Sequence, residues 1–230
     1  MTQVPPRVVI YGGSFDPPHQ GHVDCLTEAS RSFPQSQFLV IPGYQPAGAE
    51  GQHKNPAACY EDRVAMARAA FEGGDCAATV STLESQLPCP NFTYKTVENL
   101  LTAYPGQRLG VMMGLDQFKV FHRWAEPLKI LASADIVVVR RDSKESIVKV
   151  SEQVMDALGF KLIWERDHKA AKLTGSLESR VFVVDAKTAL AASSEIKFRL
   201  AKGKSLPAGW LPDKVKKIIE VKDLYKGEDS

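Results

Sequence analysis

Short apolar runs and longer mixed stretches take turns along the whole chain. The runs VVI, FLVI, LGVMM, IVVV and VFVV are nearly continuous rather than alternating, as in strands buried on both faces of a parallel sheet. They predict strands at Arg7–Tyr11, Gln37–Ile41, Ala78–Leu83, Arg108–Met113, Asp135–Arg140, Lys161–Trp164 and Arg180–Val184. The stretches between them predict helices at Gln20–Phe33, Tyr60–Phe71, Tyr94–Tyr104, Ala125–Ala132, Lys144–Leu158, Ser193–Ala201 and Pro212–Ile219. In the second of these, Val64, Met66, Ala67, Ala70 and Phe71 build an apolar stripe, with Glu61, Asp62 and Arg63 near its start. Strand–helix alternation points to an α/β fold: a doubly wound, mainly parallel sheet with right-handed crossovers, flanked by helices. In such sheets a ligand sits beyond the carboxyl ends of the strands, where the winding reverses. Residues 1–230 read as one domain whose last stretch, from about residue 190, is a small helical part.

Bulk numbers narrow the class without choosing a function. Hydrophobic residues make up 44% and charged residues 24% of the chain, ordinary values for a globular protein that needs no metal or disulfide to hold a core. A net charge of +2 provides no basic field for nucleic acid. Cys25, Cys59, Cys76 and Cys89 contain no C-x-x-C pair and read as free thiols. The first residues lack a signal-peptide core, and no apolar run is long enough for a membrane span, so a cytoplasmic location is expected. Pro42–Pro56 is rich in glycine and proline and reads as a mobile loop between strand–helix units.

The chemistry concentrates in residues 7–22, RVVIYGGSFDPPHQGH. An apolar strand feeds a glycine turn, and a helix opens carrying His19 and His22, three residues apart and therefore on one face. Backbone N–H groups and the positive end of the helix dipole meet there, which suits a phosphate. The turn is neither G-x-G-x-x-G nor a Walker A loop, so hydride transfer and P-loop hydrolysis lose ground. Two other readings of the histidines stay open: one caps a turn while the other packs, or both share a zinc. No third zinc ligand or H-E-x-x-H accompanies them.

GGSFDPPHQGH resembles the GG-[ST]-F-D-P-x-H-x-G-H signature of the nucleotidyltransferase superfamily, and the fuller match is to bacterial nicotinate-nucleotide adenylyltransferases. Further segments follow in the family's order. Asn91–Thr96 is similar to S-Y-T-x-x-T, Gly114-Leu115-Asp116 to G-x-D, and Phe121–Trp124 to a segment that lays tryptophan on a pyridine ring. Val138–Arg141, Leu206-Pro207 and Asp223-Leu224-Tyr225 also fit, and Ala192–Lys197 resembles S-[ST]-[ST]-x-I-R. The resemblance implies a Rossmann-like fold. It implies transfer of AMP from ATP to the 5′-phosphate of nicotinate mononucleotide, with pyrophosphate released.

The resemblance implies these roles. His19 and His22 donate to phosphate in the transition state. Gly12, Gly13, Ser14 and Phe15 contact the α-phosphate through their backbone. Ser193, Ser194, Ile196 and Lys197 hold the outer phosphates, with Ser193 as the helix N-cap. Lys197 stands where the family has arginine and Ala192 where it has serine, so the bidentate fork is lost unless Arg199 supplies it. Arg140 lies near adenine or faces solvent. Trp124 stacks on the pyridine, Asp116 accepts from a ribose hydroxyl or caps a helix, and Thr93 meets the nicotinate carboxylate. His53 and Lys54 meet the mononucleotide phosphate or are solvated charge. Mg²⁺ comes in mainly on the ATP phosphates, with no dedicated metal ligands in the protein. The alternatives are pantetheine-phosphate adenylyltransferase, a cytidylyltransferase, nicotinamide mononucleotide as substrate, and a nucleotide-binding module without turnover. The sequence leaves a homo-oligomer open and assigns no role to Glu145–Leu177.

Overall fold

The computed structural model describes residues 4–45, 55–73, 78–141 and 145–227. Its strands are β1 Val8–Gly13, β2 Gln37–Pro42, β3 Ala78–Val80, β4 Leu109–Gly114, β5 Ala134–Arg141, β6 Leu162–Trp164, β7 Ala170–Leu173 and β8 Arg180–Ala186. The helices are α1 Gln20–Ser32, α2 Tyr60–Phe71, α3 Thr93–Ala103, α4 Leu115–Lys119, α5 Pro127–Ser133, α6 Ile147–Asp156, α7 Ser193–Ala201 and α8 Asp213–Val221. All the strands share one sheet in the order β3-β2-β1-β4-β5-β8-β7-β6. Pairing is parallel from β3 across to β8, and antiparallel where β7 and β6 extend the sheet beyond it. The chain winds outward from β1 through β2 to β3, then restarts on the other side with β4. The reversal falls between β1 and β4, the place where doubly wound sheets bind ligands.

The near-continuous apolar runs have a direct cause. Val8, Ile10, Val111, Ile136 and Val138 turn to one face, under α3, α5 and α6. Their neighbours Val9, Tyr11, Val40, Val137 and Val139 turn to the other, under α1 and α2. With period-two alternation, covering both faces leaves no polar side to the strand. α1 stops before Pro34, whose ring disfavours helical geometry at Phe33, and α5 takes Pro127 in its first turn, where no N–H is needed. α8 packs away from the sheet, with Val215 and Ile219 against Met66 of α2; Leu224 and Tyr225 join that cluster.

Several expected boundaries move. The strand expected at Ala78–Leu83 ends at Val80, and Leu83–Gln86 turns as a 3-10 helix. β7 was not foreseen: AAKL has weak strand propensity, and the segment becomes a strand by pairing with β8 and β6. The Glu145–Leu177 region thus forms α6 and the β6–β7 hairpin. The short α4, which holds Asp116, was also unforeseen. At the amino ends of the strands, fully buried Asp135 accepts bonds from Arg108 Nε (2.5 Å), Arg108 Nη2 (2.6 Å) and the Arg180 N–H (2.8 Å). No described helix is long and apolar enough to cross a membrane.

Candidate active site

A cavity of about 810 Å³ opens over the carboxyl ends of β1, β4 and β5. Gly12 and Gly13 end β1 at its floor. A Cβ on Gly13 would come within 2.9 Å of the Phe15 ring, so glycine is what lets that ring fold back under the turn. Phe15 holds a left-handed backbone (φ 47°), and its buried ring meets His22 and Phe71 edge-on at 5.3 and 5.2 Å. Only the backbone of Phe15 is therefore left for a ligand. Beneath the turn lies Arg63, 2% exposed. Its Nη1 donates to the carbonyls of Ser14 (2.9 Å) and Gly43 (2.8 Å), and its Nε donates to Ala58 (3.3 Å). The guanidinium ties three loop carbonyls together and places a buried positive charge under the glycine turn.

His19 is the N-cap of α1 and His22 lies in its first turn; their rings stack with centroids 3.7 Å apart. The His19 N–H donates to His22 Nδ1 at 3.2 Å. A neutral imidazole that accepts at Nδ1 carries its proton on Nε2. Burial, then the neighbouring His19 and Arg141, holds the His22 pKa well below 6.5, so the ring is neutral and presents an N–H donor. His22 lines the cavity, whereas His19, also expected there, is buried behind it and does not. His19, 3% exposed, is pushed down to about 4, by burial first and Arg141 next, and its Nδ1 has no hydrogen-bond partner. Gly21 completes the arrangement. A Cβ there would lie 3.1 Å from the Ala189 carbonyl and 3.2 Å from the His19 ring.

The wall beside the histidines is the start of α7. Its N-cap is Ala192, not the expected Ser193, and has no side chain to accept from the first-turn N–H groups. Ser193 is instead the first helical residue, and its hydroxyl donates to the Pro17 carbonyl at 3.0 Å. Ser193, Ser194 and Lys197 line the cavity. Ile196 does not: its side chain is fully buried and its N–H donates to Ala192 within the helix. Lys197 Nζ rests on Asp16 Oδ2 at 2.6 Å. Burial pushes the Asp16 carboxyl up, but Lys197, the Ala57 and Ala58 N–H groups and the Tyr225 hydroxyl outweigh it and hold the pKa below 3.8.

The far end of the cavity belongs to α3, α4 and Trp124. The N-cap of α3 is Phe92, again unable to cap, so the N–H groups of Thr93 and Tyr94 have no partner within the helix. Trp124 is half-buried, edge-on to Phe121 at 5.5 Å, and lines the cavity. Asp116 is exposed in the first turn of α4, whose N-cap is Gly114. Glu84 braces this end. It accepts from Thr96 Oγ1 (3.1 Å) and the Tyr44 N–H (3.3 Å), and its carbonyl accepts from Asn91 Nδ2 (3.0 Å). Burial raises the Glu84 pKa, and those donors only partly oppose it.

Most of the residues singled out from the sequence come together on this wall: Gly12, Gly13, Ser14, Phe15, His22, Thr93, Asp116, Trp124, Ser193, Ser194 and Lys197. Arg140 is placed elsewhere, paired with Asp185 on β8 at 2.6 Å, and its neighbour Arg141 lines the cavity. Strand alternation gives the reason. Arg141 shares its face with Val137 and Val139, the face that α1 covers, whereas Arg140 shares the opposite one. Arg199 pairs with Glu195 at 2.7 Å and is not on the cavity wall. His53 and Lys54 lie outside the described residues. Asp16, Arg63 and Glu84 were not singled out by sequence reasoning. Among the described residues no group of three His, Cys, Asp or Glu side chains is placed to hold a metal.

Comparison with known proteins bears on the family and the fold. Residues 10–199 match the model of the cytidylyltransferase-like family. The chain is 25% identical, over 97% of its length and 98% of the relative's, to a Shewanella pealeana protein named a probable nicotinate-nucleotide adenylyltransferase. It is 32% identical to a protein of the same name from Aquifex aeolicus, over 64% of this chain and 84% of that one. Among solved structures it resembles Plasmodium falciparum nicotinic acid mononucleotide adenylyltransferase complexed with NaAD. The TM-score is 0.71 at 16% identity, over 95% of this chain and 96% of the other.

Proposed function

Because the chain belongs to the cytidylyltransferase-like family, and within it to the nicotinate-nucleotide adenylyltransferases, we propose that it moves AMP from ATP to the 5′-phosphate of nicotinate mononucleotide, giving deamido-NAD and pyrophosphate. One observation carries this reading: a single cavity has an uncapped helix N-terminus at each end, with a stacked neutral histidine pair beside one and a tryptophan face beside the other. Each such terminus suits an anion. The pair matches a substrate set with a triphosphate at one end and a carboxylate-bearing ring at the other.

The mononucleotide phosphate is itself the nucleophile, so no covalent enzyme intermediate is needed. The protein aligns two phosphates and stabilises the charge that passes to pyrophosphate. ATP lies with its α-phosphate over the Gly12–Phe15 backbone. His22 Nε2–H donates to a phosphoryl oxygen as charge builds, and His19, stacked behind it, offers the second imidazole. The α7 terminus, Ser194 and Lys197 hold the β- and γ-phosphates. Arg141 and the buried Arg63 make that end of the cavity positive. Trp124 stacks on the pyridine, the Thr93 and Tyr94 N–H groups meet its carboxylate, and Asp116 accepts from a ribose hydroxyl. His53 and Lys54 belong to the loop that would meet the mononucleotide phosphate. The donors on the wall suit phosphate oxygens rather than a bare cation. Mg²⁺ would therefore enter on ATP and add charge neutralisation to what these residues supply. A cytoplasmic location accompanies this reading.

Backbone N–H donors at α3 favour nicotinate over nicotinamide, because an amide would turn either a competing donor or a weaker acceptor toward them. The test is pyrophosphate release from ATP with each mononucleotide in turn. Turnover at least tenfold faster with nicotinate mononucleotide is expected. Turnover with neither, despite tight ATP binding, would favour a nucleotide-binding module, and faster turnover with nicotinamide mononucleotide would overturn the α3 assignment.

A further inference from the structure

The Asp16 carboxylate is 4% exposed and collects donors from several separate parts of the chain. Oδ2 accepts from Lys197 Nζ at 2.6 Å and from the Ala57 N–H at 2.8 Å. Oδ1 accepts from the Ala58 N–H at 3.0 Å and from the Tyr225 hydroxyl at 2.8 Å. An ionised carboxylate offers about four acceptor sites, so Asp16 is filled. Tyr225 comes from the turn after α8, distant in sequence from Asp16, and its hydroxyl also lies 4.0 Å from Met66 Sδ. Three side-chain-bearing residues around this junction hold left-handed backbones: Phe15 (φ 47°), Asp223 (φ 59°) and Tyr225 (φ 63°). Such geometry is disfavoured without glycine and persists only where surrounding contacts fix it.

We propose that Tyr225 is a positioning residue for ATP, acting through Asp16 on Lys197, so that its hydroxyl belongs to the nucleotide-binding machinery. This rests on Lys197 as the phosphate ligand described above. Lys197 lines the cavity with its side chain 31% exposed, so it can swing from Asp16 toward a phosphate. When it leaves, Asp16 must stay ionised while buried. The Ala57 and Ala58 N–H groups and the Tyr225 hydroxyl keep it so. Without the hydroxyl, the carboxylate holds the ammonium harder and gives it up to ATP less readily.

The experiment compares Tyr225→Phe, Lys197→Met and the double variant in steady-state assays, with thermal melts to establish folding. Lys197→Met raises the KM for ATP at least tenfold. Tyr225→Phe raises it about five- to tenfold, a fraction of what a hydrogen bond to a charged group can give, with kcat and the KM for the mononucleotide within twofold of wild type. In the Lys197→Met background, adding Tyr225→Phe changes the KM for ATP by less than twofold. A merely structural role would lower kcat or raise both KM values, and would persist without the lysine; either result overturns the proposal. If Lys197→Met raises the KM for ATP but Tyr225→Phe does not, the inference about Tyr225 fails alone. If Lys197→Met is silent, the lysine's role falls and takes this inference with it. Should Tyr225→Phe fold poorly, Asp223→Gly provides the second variant: it relaxes the left-handed turn while keeping the hydroxyl and leaves the KM for ATP within twofold, and a fivefold rise there would overturn the proposal.

Discussion

His22→Asn isolates the donor that the proposed chemistry depends on. His22 has two polar edges with different tasks. Nδ1 accepts the His19 N–H at 3.2 Å and so helps start α1, while Nε2–H is left to donate. An asparagine amide oxygen can replace the first function, but its short side chain cannot replace the second. The structural loss comprises the stack on His19 at 3.7 Å, the edge contact with Phe15 at 5.3 Å and a tilted contact with Tyr11 at 6.4 Å. Ring contacts of this kind are worth about 0.5–1.5 kcal/mol each, so the variant should lie about 1.5–4.5 kcal/mol below wild type in stability. Removing a donor aimed at developing charge costs roughly 10²–10³ in kcat, about 2.7–4 kcal/mol. The expected result is a folded protein with kcat reduced at least a hundredfold and a KM for ATP changed less than tenfold. Pyrophosphate release and a urea melt on the same preparation measure both. A folded Asn variant with kcat within threefold of wild type would refute the Nε2–H assignment.

Three further outcomes follow from the same geometry. Trp124→Ala should raise the KM for the mononucleotide tenfold or more, since base–aromatic stacking is worth ~1–3 kcal/mol, with the KM for ATP within twofold; equal rises in both would remove the stacking role. Arg108→Ala should destabilise by about 3–5 kcal/mol, because it leaves the buried Asp135 carboxylate uncompensated at the end of the sheet remote from the cavity; kcat per folded molecule should stay unchanged, and a large loss would mean the two ends are coupled. Stability should also fall on acidification. His19 titrates near 4 when folded and near 6.5 when unfolded, so between those values the unfolded chain binds more protons. This group alone contributes a loss of ~2 kcal/mol by pH 5, His22 acts in the same direction, and the raised Glu84 opposes them only above its ordinary value of 4.5. Asp16, held below 3.8, contributes its own loss only in stronger acid. Urea midpoints that do not change between pH 7 and 5 would contradict the burial of the histidine pair.

What the sequence made legible is what repeats or clusters locally. Nearly continuous apolar runs announced strands covered on both faces, and His19, His22 and the glycines fell within one short stretch. Residues whose meaning depends on distant partners were not legible. Asp16 looked like one more letter of its motif, yet the groups that bind it come from positions 57, 58, 197 and 225. Arg63 sat at the start of an amphipathic helix, where a charged residue normally faces water; its burial follows from three loop carbonyls that only the fold brings together. Arg140 and Arg141 differ by a single step of strand parity. Choosing between them required knowing that α1 covers the face of Val137 and Val139 rather than that of Val138. The Ala192 departure has a physical reading in the same terms. A serine there could cap α7 and occupy its first N–H groups, whereas alanine leaves them open. On the proposed phosphate-binding role, that opening would offset part of what is lost by having lysine rather than arginine at 197, because backbone donors would then do work that a guanidinium fork would otherwise share. Ala192→Ser should therefore weaken ATP binding, not strengthen it, even though it brings the chain closer to the family pattern.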